Sequence, residues 1–414
     1  MNRRYKHRRK SYAIVIGLDS MQGLQTARIL AKRSVPVIGI AKDPKYYACH
    51  TKVCEDIIYT NTENDVLIEV LINLGKKLTK RGVLFPCQDI NVFLISKNRD
   101  KLNTYFHVIL APHNVVEMMS NKLSFYIYAQ EKNLPIPVTF IIKNYEEAEN
   151  AALALKYPAV LKPPLRSSKW LKSTSEKAFK ILNADEFISM YNKYKDLSDI
   201  MIAQKWIEGS EKNLYSCNCY YNKKNNPVVT FTARKIRQWP PITGQSSMGE
   251  ECCNEVVLKE TLNLFSGVHY VGLGYLEMKK DHRSGKYFII EPNIGRPTGR
   301  SAIAEVGGVE LVYTMYCDAI GVPIPKNIEQ KYIGVKWIHL LRDLQSAFYH
   351  WRLKELNISD WLRSIKGKKA YAIFSLSDPL PFLIAALQAI FIVLVNSRRI
   401  MKSSRSGKYL KNYE

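Results

Sequence analysis

The sequence predicts an α/β protein in which a parallel, nucleotide-type half-domain precedes a larger part built from antiparallel strand pairs. Three observations predict it. Residues 12–17 (YAIVIG), the helical run LQTARILAKR and the strand-like VPVIGIA follow one another in the β-α-β order of a parallel sheet. NLYSCNCYYN and PVVTFTARKIR read as a long antiparallel pair. Residues 274–299, GYLEMKKDHRSGKYFIIEPNIGRPTG, read as a β-hairpin in which YLEMKK and KYFIIEP are strands and DHRSG carries the turn residues.

The glycines at 17 and 23 do not spell GxGxxG, so a dinucleotide cofactor is not expected. GVLFPCQD (82–89) is a further strand whose polar exit, Gln88 and Asp89, lies where open α/β sheets bind ligands; an ordinary loop is the alternative. A helix from about Asn121 (NKLSFYIYAQEKN) stops at LPIP, and the strand VTFII, the helix NYEEAENAALAL and the strand YPAVLKPP follow. IMIAQKWIEG is another strand. After about residue 330 the character changes to WIHLLRDLQSAFYHWRLKELNISDWLRSIK, rich in Trp, Leu, Lys and Arg at helical spacing. Residues 380–395 are then nearly all apolar, shorter than the ~20 residues of a spanning helix. An interfacial or re-entrant helix anchored by Arg398, Arg399 and Lys402 fits that pattern, and a buried core helix is the alternative.

Composition narrows the partners. The 414 residues allow two or three domains, and 46% hydrophobic with 24% charged content is ordinary. The net charge of +24, from 61 Lys and Arg against 37 Asp and Glu, predicts an anionic partner such as nucleotide phosphates or an acidic membrane surface. No RNA- or DNA-binding motif is present and the excess is spread along the chain, so nucleic acid is not expected. The opening MNRRYKHRRK is a basic arm, and YAIVIG behind it is too short for a signal peptide. Eight scattered cysteines lack the paired spacing of a zinc site and are expected to be free and reduced, which suggests the cytoplasm.

The hairpin carries the first chemical signal. Pairing Lys280 with Lys286 sets Glu277 opposite Ile289, makes Glu291 its diagonal neighbour and puts Asn293 on the same face. Leu276, Met278, Phe288 and Ile290 then fall on the core face. Two carboxylates and an amide oxygen, ~7–8 Å apart along the diagonal, suit Mg²⁺ bridging phosphates; a surface hairpin whose acids balance nearby lysines is the alternative.

Four segments line up in order: Lys122 in NKLSF, Lys162 in YPAVLKPP, QKWIEGSE from Gln204 to Glu211, and the Glu277/Glu291/Asn293 hairpin. Their order and spacing, over about residues 12–325, resemble the ATP-grasp superfamily, in particular its carboxylate–amine ligase branch of D-alanine–D-alanine and D-aspartate ligases. The part past 330 resembles that of bacterial envelope- and exopolysaccharide-associated ATP-grasp proteins. The resemblance implies a basic arm (1–11), a Rossmann-like pre-ATP-grasp domain (12–115), a two-subdomain ATP-grasp domain with antiparallel sheets (116–328) and a C-terminal helical, membrane-associating region (329–414).

It also implies roles. Lys122 and Lys162 would hold the α- and β-phosphates of ATP. LRSSKWLKS (165–173) takes the place of a mobile phosphate-covering loop but lacks the glycines common there; Ser167, Ser168 and Lys169 would donate to the phosphates. Backbone groups of Lys205 and Ile207 would read the adenine edge beside Gln204, Trp206 between them is expected as core packing ahead of a stacking platform in the nucleotide site, and Glu211 would accept from the ribose. In ARKIRQWPPITG (233–244), Arg234 matches a residue that contacts the transferring phosphoryl, with Arg237 and Gln238 on the substrate side. Glu277, Glu291 and Asn293 match the ligands of two Mg²⁺ (or Mn²⁺) ions. Relatives often carry arginine two residues after the asparagine; here that position is Gly295 and arginine follows at Arg296, placed to stabilise an acyl-phosphate and its adduct. Arg300 and Ser301 would be carboxylate-binding neighbours. The function implied is an ATP- and Mg²⁺-dependent ligase that activates a small carboxylic acid as an acyl-phosphate and joins it to an amine. It would lie at the cytoplasmic face of the membrane, serving envelope or exopolysaccharide metabolism. A non-catalytic ATP-binding scaffold of an envelope assembly is the alternative that the glycine-poor loop leaves open.

Overall fold

The computed structural model describes residues 10–165, 167–174, 176–241 and 244–391. Residues 1–9 of the basic arm, residues 392–395 of the apolar run, and Arg398, Arg399 and Lys402 lie outside the described residues.

Strands β1 (Ala13–Ile16), β2 (Val37–Ala41), β3 (Asp56–Tyr59), β4 (Gly82–Pro86) and β5 (Phe106–His107) form a five-stranded parallel sheet in the order β3-β2-β1-β4-β5. Every residue of β1, β2 and β4 is buried, as expected where helices cover both faces of a parallel sheet. The first helix, Met21–Ala31, starts at Ser20, whose side-chain oxygen accepts from the Gly23 N–H.

β6 (Thr139–Ile142), β7 (Ala159–Lys162), β8 (Phe179–Ile181) and β9 (Met201–Lys205) make a four-stranded antiparallel sheet, β6-β9-β7-β8, with its own core around Leu161, Trp170 and Phe187. Here the structure corrects the loop expected at 165–173, because Ser168–Ser173 is a short helix. The Ser167 hydroxyl accepts from the Trp170 N–H at 3.2 Å. The fully buried Trp170 ring packs 5.8 Å from Phe179 and 5.6 Å from Tyr194, and its Nε1 donates to the Glu176 carbonyl at 2.9 Å. A buried tryptophan anchors the segment expected to be a mobile phosphate-covering loop.

β10 (Leu214–Tyr221), β11 (Pro227–Trp239), β12 (Gln245–Glu251), β13 (Gly272–Lys280), β14 (Tyr287–Ile294), β15 (Lys336–Ile338) and β16 (Lys369–Tyr371) form a seven-stranded sheet, β14-β13-β10-β11-β12-β15-β16. All pairs are antiparallel except β15 with β16. The region past 329, expected to be helical, thus supplies two strands; Trp337 and Ile338, buried, complete the sheet that β12 would otherwise leave with an open edge. Helix Leu340–Arg352 follows, and residues 380–391 are helical. This last helix buries Pro381 and Ala385, and Ala385 belongs to the same core as the first helix. Just before it, the buried Asp378 accepts from Arg28 Nε at 2.8 Å, Thr51 Oγ1 at 2.5 Å and the Lys52 N–H at 3.1 Å. Among the described residues no helix is long and apolar enough to cross a membrane.

The hairpin forms, but its register differs from the expected one. Lys280 pairs with Tyr287 and Met278 with Ile289; a bulge then intervenes, and Glu277 faces Glu291 directly, with Tyr275 opposite Asn293. Leu276 and Met278 are core residues as expected, whereas Ile289 is fully buried and Ile290 borders a cavity. Strict alternation would put Ile289 and Glu291 on one face. The extra residue at the bulge lets Ile289 enter the core while Glu291 and Asn293 face the cleft.

Candidate active site

A cleft between the four- and seven-stranded sheets holds two adjoining cavities of about 240 and 810 Å³ that share Lys162, Lys235, Glu277 and Ile290. The smaller is walled by Val160, Trp206, Ile207 and Leu214, together with Gln204, Lys205 and Gln238. The larger is bordered by Asp89, Lys122, Glu291, Asn293, Arg296 and Arg300.

Lys162 ends β7, where its Nζ donates to Gln204 Oε1 at 2.7 Å and to the Tyr126 hydroxyl at 3.2 Å. Neither partner is charged. Burial, reinforced by the nearby Lys122 ammonium, pushes the Lys162 pKa down to about 8. Lys122 opens the helix Lys122–Glu131, capped by Asn121, and pairs with Glu291 at 3.3 Å. Burial pulls its pKa down, but Glu291 more than offsets this and holds it above the usual lysine range.

Glu277 is embedded among donors. It accepts from the Tyr275 hydroxyl at 2.9 Å and from Arg300 at 3.1 Å, and Arg300 also donates to Ser216 Oγ at 2.8 Å. Burial alone would raise the Glu277 pKa; Lys235, Arg300 and these hydrogen bonds outweigh it and hold the carboxyl below its usual range. Arg296 donates to Asn293 Oδ1 at 2.7 Å and pairs with Asp89 at 2.5 Å, joining the exit of β4 to the hairpin. The position before it is closed to a side chain. Gly295 sits at φ +69, and a Cβ there would lie 2.5 Å from Val92 and 2.7 Å from Leu110. Position 295 therefore cannot carry the arginine.

Glu277, Glu291 and Asn293 offer hard oxygens side by side on two paired strands, and each is engaged by a cationic side chain: Arg300, Lys122 and Arg296 respectively. Cations are thus what this oxygen set attracts, and the chemistry suits Mg²⁺.

Other residues expected at the site stand as follows. Gln204, Lys205, Trp206 and Ile207 line the smaller cavity. The Lys205 N–H donates to the Val138 carbonyl and the Trp206 N–H to the Pro158 carbonyl, while no described residue accepts from the Ile207 N–H. Trp206 is overlaid by Lys180 and Lys279, 5.2 and 5.3 Å from its ring centre. Gln238 lines the same cavity and accepts from Lys235 Nζ at 2.9 Å. Glu211 borders neither cavity; its carboxylate accepts from the Gln238 N–H at 2.9 Å, and burial raises its pKa.

Further expected residues are placed elsewhere. Arg234 borders neither cavity and pairs with Glu250, its Nε donating at 2.7 Å; the next residue, Lys235, points into the cleft instead. Arg237 is buried and bound at both ends to Asp343, at 2.9 and 2.8 Å. Register irregularities on either side of Arg237 let Lys235 and Gln238 share the cleft face while Arg237 turns away. Ser168 sits at the start of the short helix and borders neither cavity, and Lys169 donates to the Asp196 carbonyl. Ser301 is buried, its hydroxyl accepting from the Thr298 N–H at 3.0 Å. Sequence reasoning missed Tyr126, Lys235 and Tyr275; strand parity would have paired Gln238 with Arg234, so nothing local pointed to Lys235.

No family model matches the chain. It is 26% identical over 321 residues to D-aspartate ligase of Enterococcus faecium (strain Aus0004), covering 69% of this chain and 74% of that protein. N5-carboxyaminoimidazole synthetase from Staphylococcus aureus, complexed with ADP, matches with a TM-score of 0.61 over 79% of this chain and 81% of that one, at 14% identity. The chain has the ATP-grasp fold. A biotin carboxylase–ATP complex from Campylobacter jejuni shares this ATP-grasp architecture at a TM-score of 0.60, covering 77% of this chain and 73% of that one at 15% identity. Beyond the shared fold, the sequence similarity is to a protein named as a ligase, the D-aspartate ligase above.

The Lys162 ammonium carries a pH prediction. An ordinary lysine titrates near 10.4. Between about 8 and that value the unfolded chain holds a proton that folded Lys162 has released, so its contribution to stability rises with pH. Nucleotide affinity runs the other way, because phosphate needs the ammonium form. From pH 7 to 9 the Kd for Mg·ATP measured by calorimetry is expected to rise by up to about tenfold. A flat profile in the wild type would remove Lys162 from the phosphate site.

Proposed function

We propose that this ATP-grasp ligase binds Mg·ATP between the two antiparallel sheets, activates a small carboxylic acid as an acyl-phosphate and joins it to an amine. The observation that carries this reading is one cleft in which Lys122, Lys162 and Lys235 surround the Glu277/Glu291/Asn293 oxygens. The apolar cavity at Val160, Trp206 and Ile207 suits the adenine, with the Ile207 N–H, which has no acceptor among the described residues, placed to donate to a ring nitrogen. Lys162 and Lys122 bind phosphate oxygens as point charges. Glu277, Glu291 and Asn293 would hold Mg²⁺, which supplies charge neutralisation at the β- and γ-phosphates.

The acid's carboxylate oxygen attacks the γ-phosphorus and ADP leaves. The neutral amine nitrogen then attacks the acyl carbon, and inorganic phosphate leaves, taking up the proton that the nitrogen loses. Arg296, held in place by Asp89, and Arg300, held by Ser216, present fixed positive charge to the acyl oxygens. The protein supplies position and charge rather than a nucleophile.

The test is phosphate release from Mg·ATP by the purified protein, screened against pooled amino acids, amino sugars and small carboxylic acids, with Glu291→Gln alongside. Release that requires a particular acid–amine pair and is absent in the variant is expected. ATP binding with no stimulated turnover by any pool would favour a non-catalytic scaffold.

The same reading includes peripheral contact with an anionic membrane, in keeping with an envelope-linked substrate. The helix over 380–391 exposes Leu380, Leu383, Leu387, Ile390 and Phe391 on the side away from Pro381 and Ala385. The net charge of +24 complements acidic headgroups. Flotation with vesicles containing anionic lipid is expected to carry the protein, and Leu383→Ser with Leu387→Ser to reduce that fraction severalfold. Equal flotation with purely zwitterionic vesicles, or none at all, would refute the contact.

A further inference from the structure

The larger cavity extends beyond the metal-type oxygens to a wall made by the C-terminal region. Trp337 of β15, Arg342 of helix Leu340–Arg352, and Gln245 and Ser246 of β12 border it, with Gln22 from the first helix. This wall is shaped tightly: a Cβ on Gly299 would lie 2.6 Å from Met21 Cε and 3.6 Å from Trp337 Cζ2. None of the four sequence segments pointed to Arg342.

Three facts single Arg342 out. Its backbone is firmly placed: its N–H donates to His339 Nδ1 at 3.3 Å, the His339 N–H donates to the Ser247 carbonyl at 2.8 Å, and the adjoining Asp343 is bound by Arg237. Among the described residues its guanidinium is nevertheless poorly partnered, with one long hydrogen bond of 3.3 Å to the Ser246 carbonyl and no ion pair to a carboxylate. The other two arginines of the cleft, Arg296 and Arg300, are matched to Asp89 and Glu277. Burial lowers the Arg342 pKa, the mark of a partly desolvated cation whose cost an anion would relieve.

The two basic positions are also spaced along one strand. Arg300 Cδ lies 3.7 Å from the Cβ position of Gly249, whereas Arg342 reaches Ser246. Three residues of β-strand span roughly 10 Å. One arginine therefore stands beside the Glu277 end of the cavity, and the other stands further along with its planar fork open.

Resting on the ligase reading, we propose that Arg342 is the seat of an anionic group that a substrate carries in addition to its reacting group. The ligand class is a dicarboxylic acid, or an amine bearing a carboxylate, bound by a forked N–H to carboxylate contact. Arg342 is on this account a specificity residue supplied by the C-terminal region.

Hydroxylamine trapping of the acyl-phosphate separates the two sources, because it reads the acid without the amine. The full chain with Mg·ATP is tested on succinate, glutarate, D- and L-aspartate against butyrate and D- and L-alanine. Expected for the wild type is a KM at least tenfold lower for the dicarboxylates. Arg342→Gln should raise that KM by about 10–100-fold, the loss of a charge-assisted contact, with kcat within a few fold. Arg342→Lys should restore part of it. If the acid KM is unmoved, the amine step is measured with amino acids against their amides; an Arg342→Gln effect confined to the amino acids puts the anion on the amine.

No preference for the anion-bearing member of either panel in the wild type overturns the proposal, as does a preference that survives in Arg342→Gln. A tenfold loss of Mg·ATP affinity in the variant, read by calorimetry, also overturns it by making Arg342 a nucleotide contact. Should no acid give hydroxamate, calorimetry of succinate against the Mg·ADP-loaded protein reads the seat alone. Binding lost in Arg342→Gln then sustains the seat while the ligase reading falls, and no binding overturns both.

Discussion

Glu277→Gln is expected to lower ATP turnover by about 10²–10³-fold, the usual effect of removing one preorganised charge from a transition-state site. Glu277 is the most enclosed of the three metal-type ligands. It stands between the Lys235 and Arg300 charges, accepts from Tyr275, and its carboxyl is held below the usual range. The amide keeps the shape and can still accept one hydrogen bond, yet it removes the charge that Mg²⁺ would meet. ADP formation measured across a magnesium titration checks this: excess metal should not restore the rate. Turnover within threefold of wild type would show that the hairpin is not the metal site. Glu291→Gln should be milder in structural terms, because that carboxylate is 44% exposed and its partner Lys122 can stay solvated.

Asp343→Ala is expected to cost about 3–5 kcal/mol of stability, the penalty for leaving one member of a buried ion pair uncompensated. Asp343 has no exposed side-chain surface and accepts from Arg237 through both nitrogens, from Ser247 Oγ at 3.0 Å and from Trp361 Nε1 at 3.0 Å. It is the point where helix Leu340–Arg352 is tied to β11 and β12. Denaturant midpoints and hydrogen exchange across residues 340–352 check the prediction. Exchange in that helix should accelerate more than in β1 or β4. The double variant Arg237→Met with Asp343→Leu should regain much of the loss, because it leaves no buried charge unpaired. A single-variant change below 1 kcal/mol would mean that the ion pair is not what holds the helix.

The contrast between Arg234 and Lys235 shows where sequence reading stops. ARKIRQW announces a basic strand, but which of its cations face the cleft depends on register irregularities flanking Arg237. A bulge leaves no local signature, because the residues that relieve it sit on neighbouring strands. The same holds for the hairpin. Its acids, its turn and the shared face of Glu277, Glu291 and Asn293 were legible, yet the bulge that makes Glu277 face Glu291 exists so that Ile289 can enter the core. Arg237 was misread for a related reason: its partner Asp343 is 106 residues away, and no spacing announces a pair at that separation.

Local pattern therefore carried the α/β class, the order of most strands and helices, and the shared face of Glu277, Glu291 and Asn293, while Lys122 and Lys162 came from the resemblance to the ATP-grasp order of segments. The class, the order and the shared face are each set by periodicity, turn chemistry or a short run of residues acting on its own neighbours. Tertiary structure alone decided the direction of Arg234 and Arg237, the burial of Trp170 in the 165–173 segment, the β15 and β16 additions and the arrival of Arg342 at the cleft. Those depend on which surfaces meet across long chain separations, where burial of apolar area and pairing of buried charge outweigh any local preference.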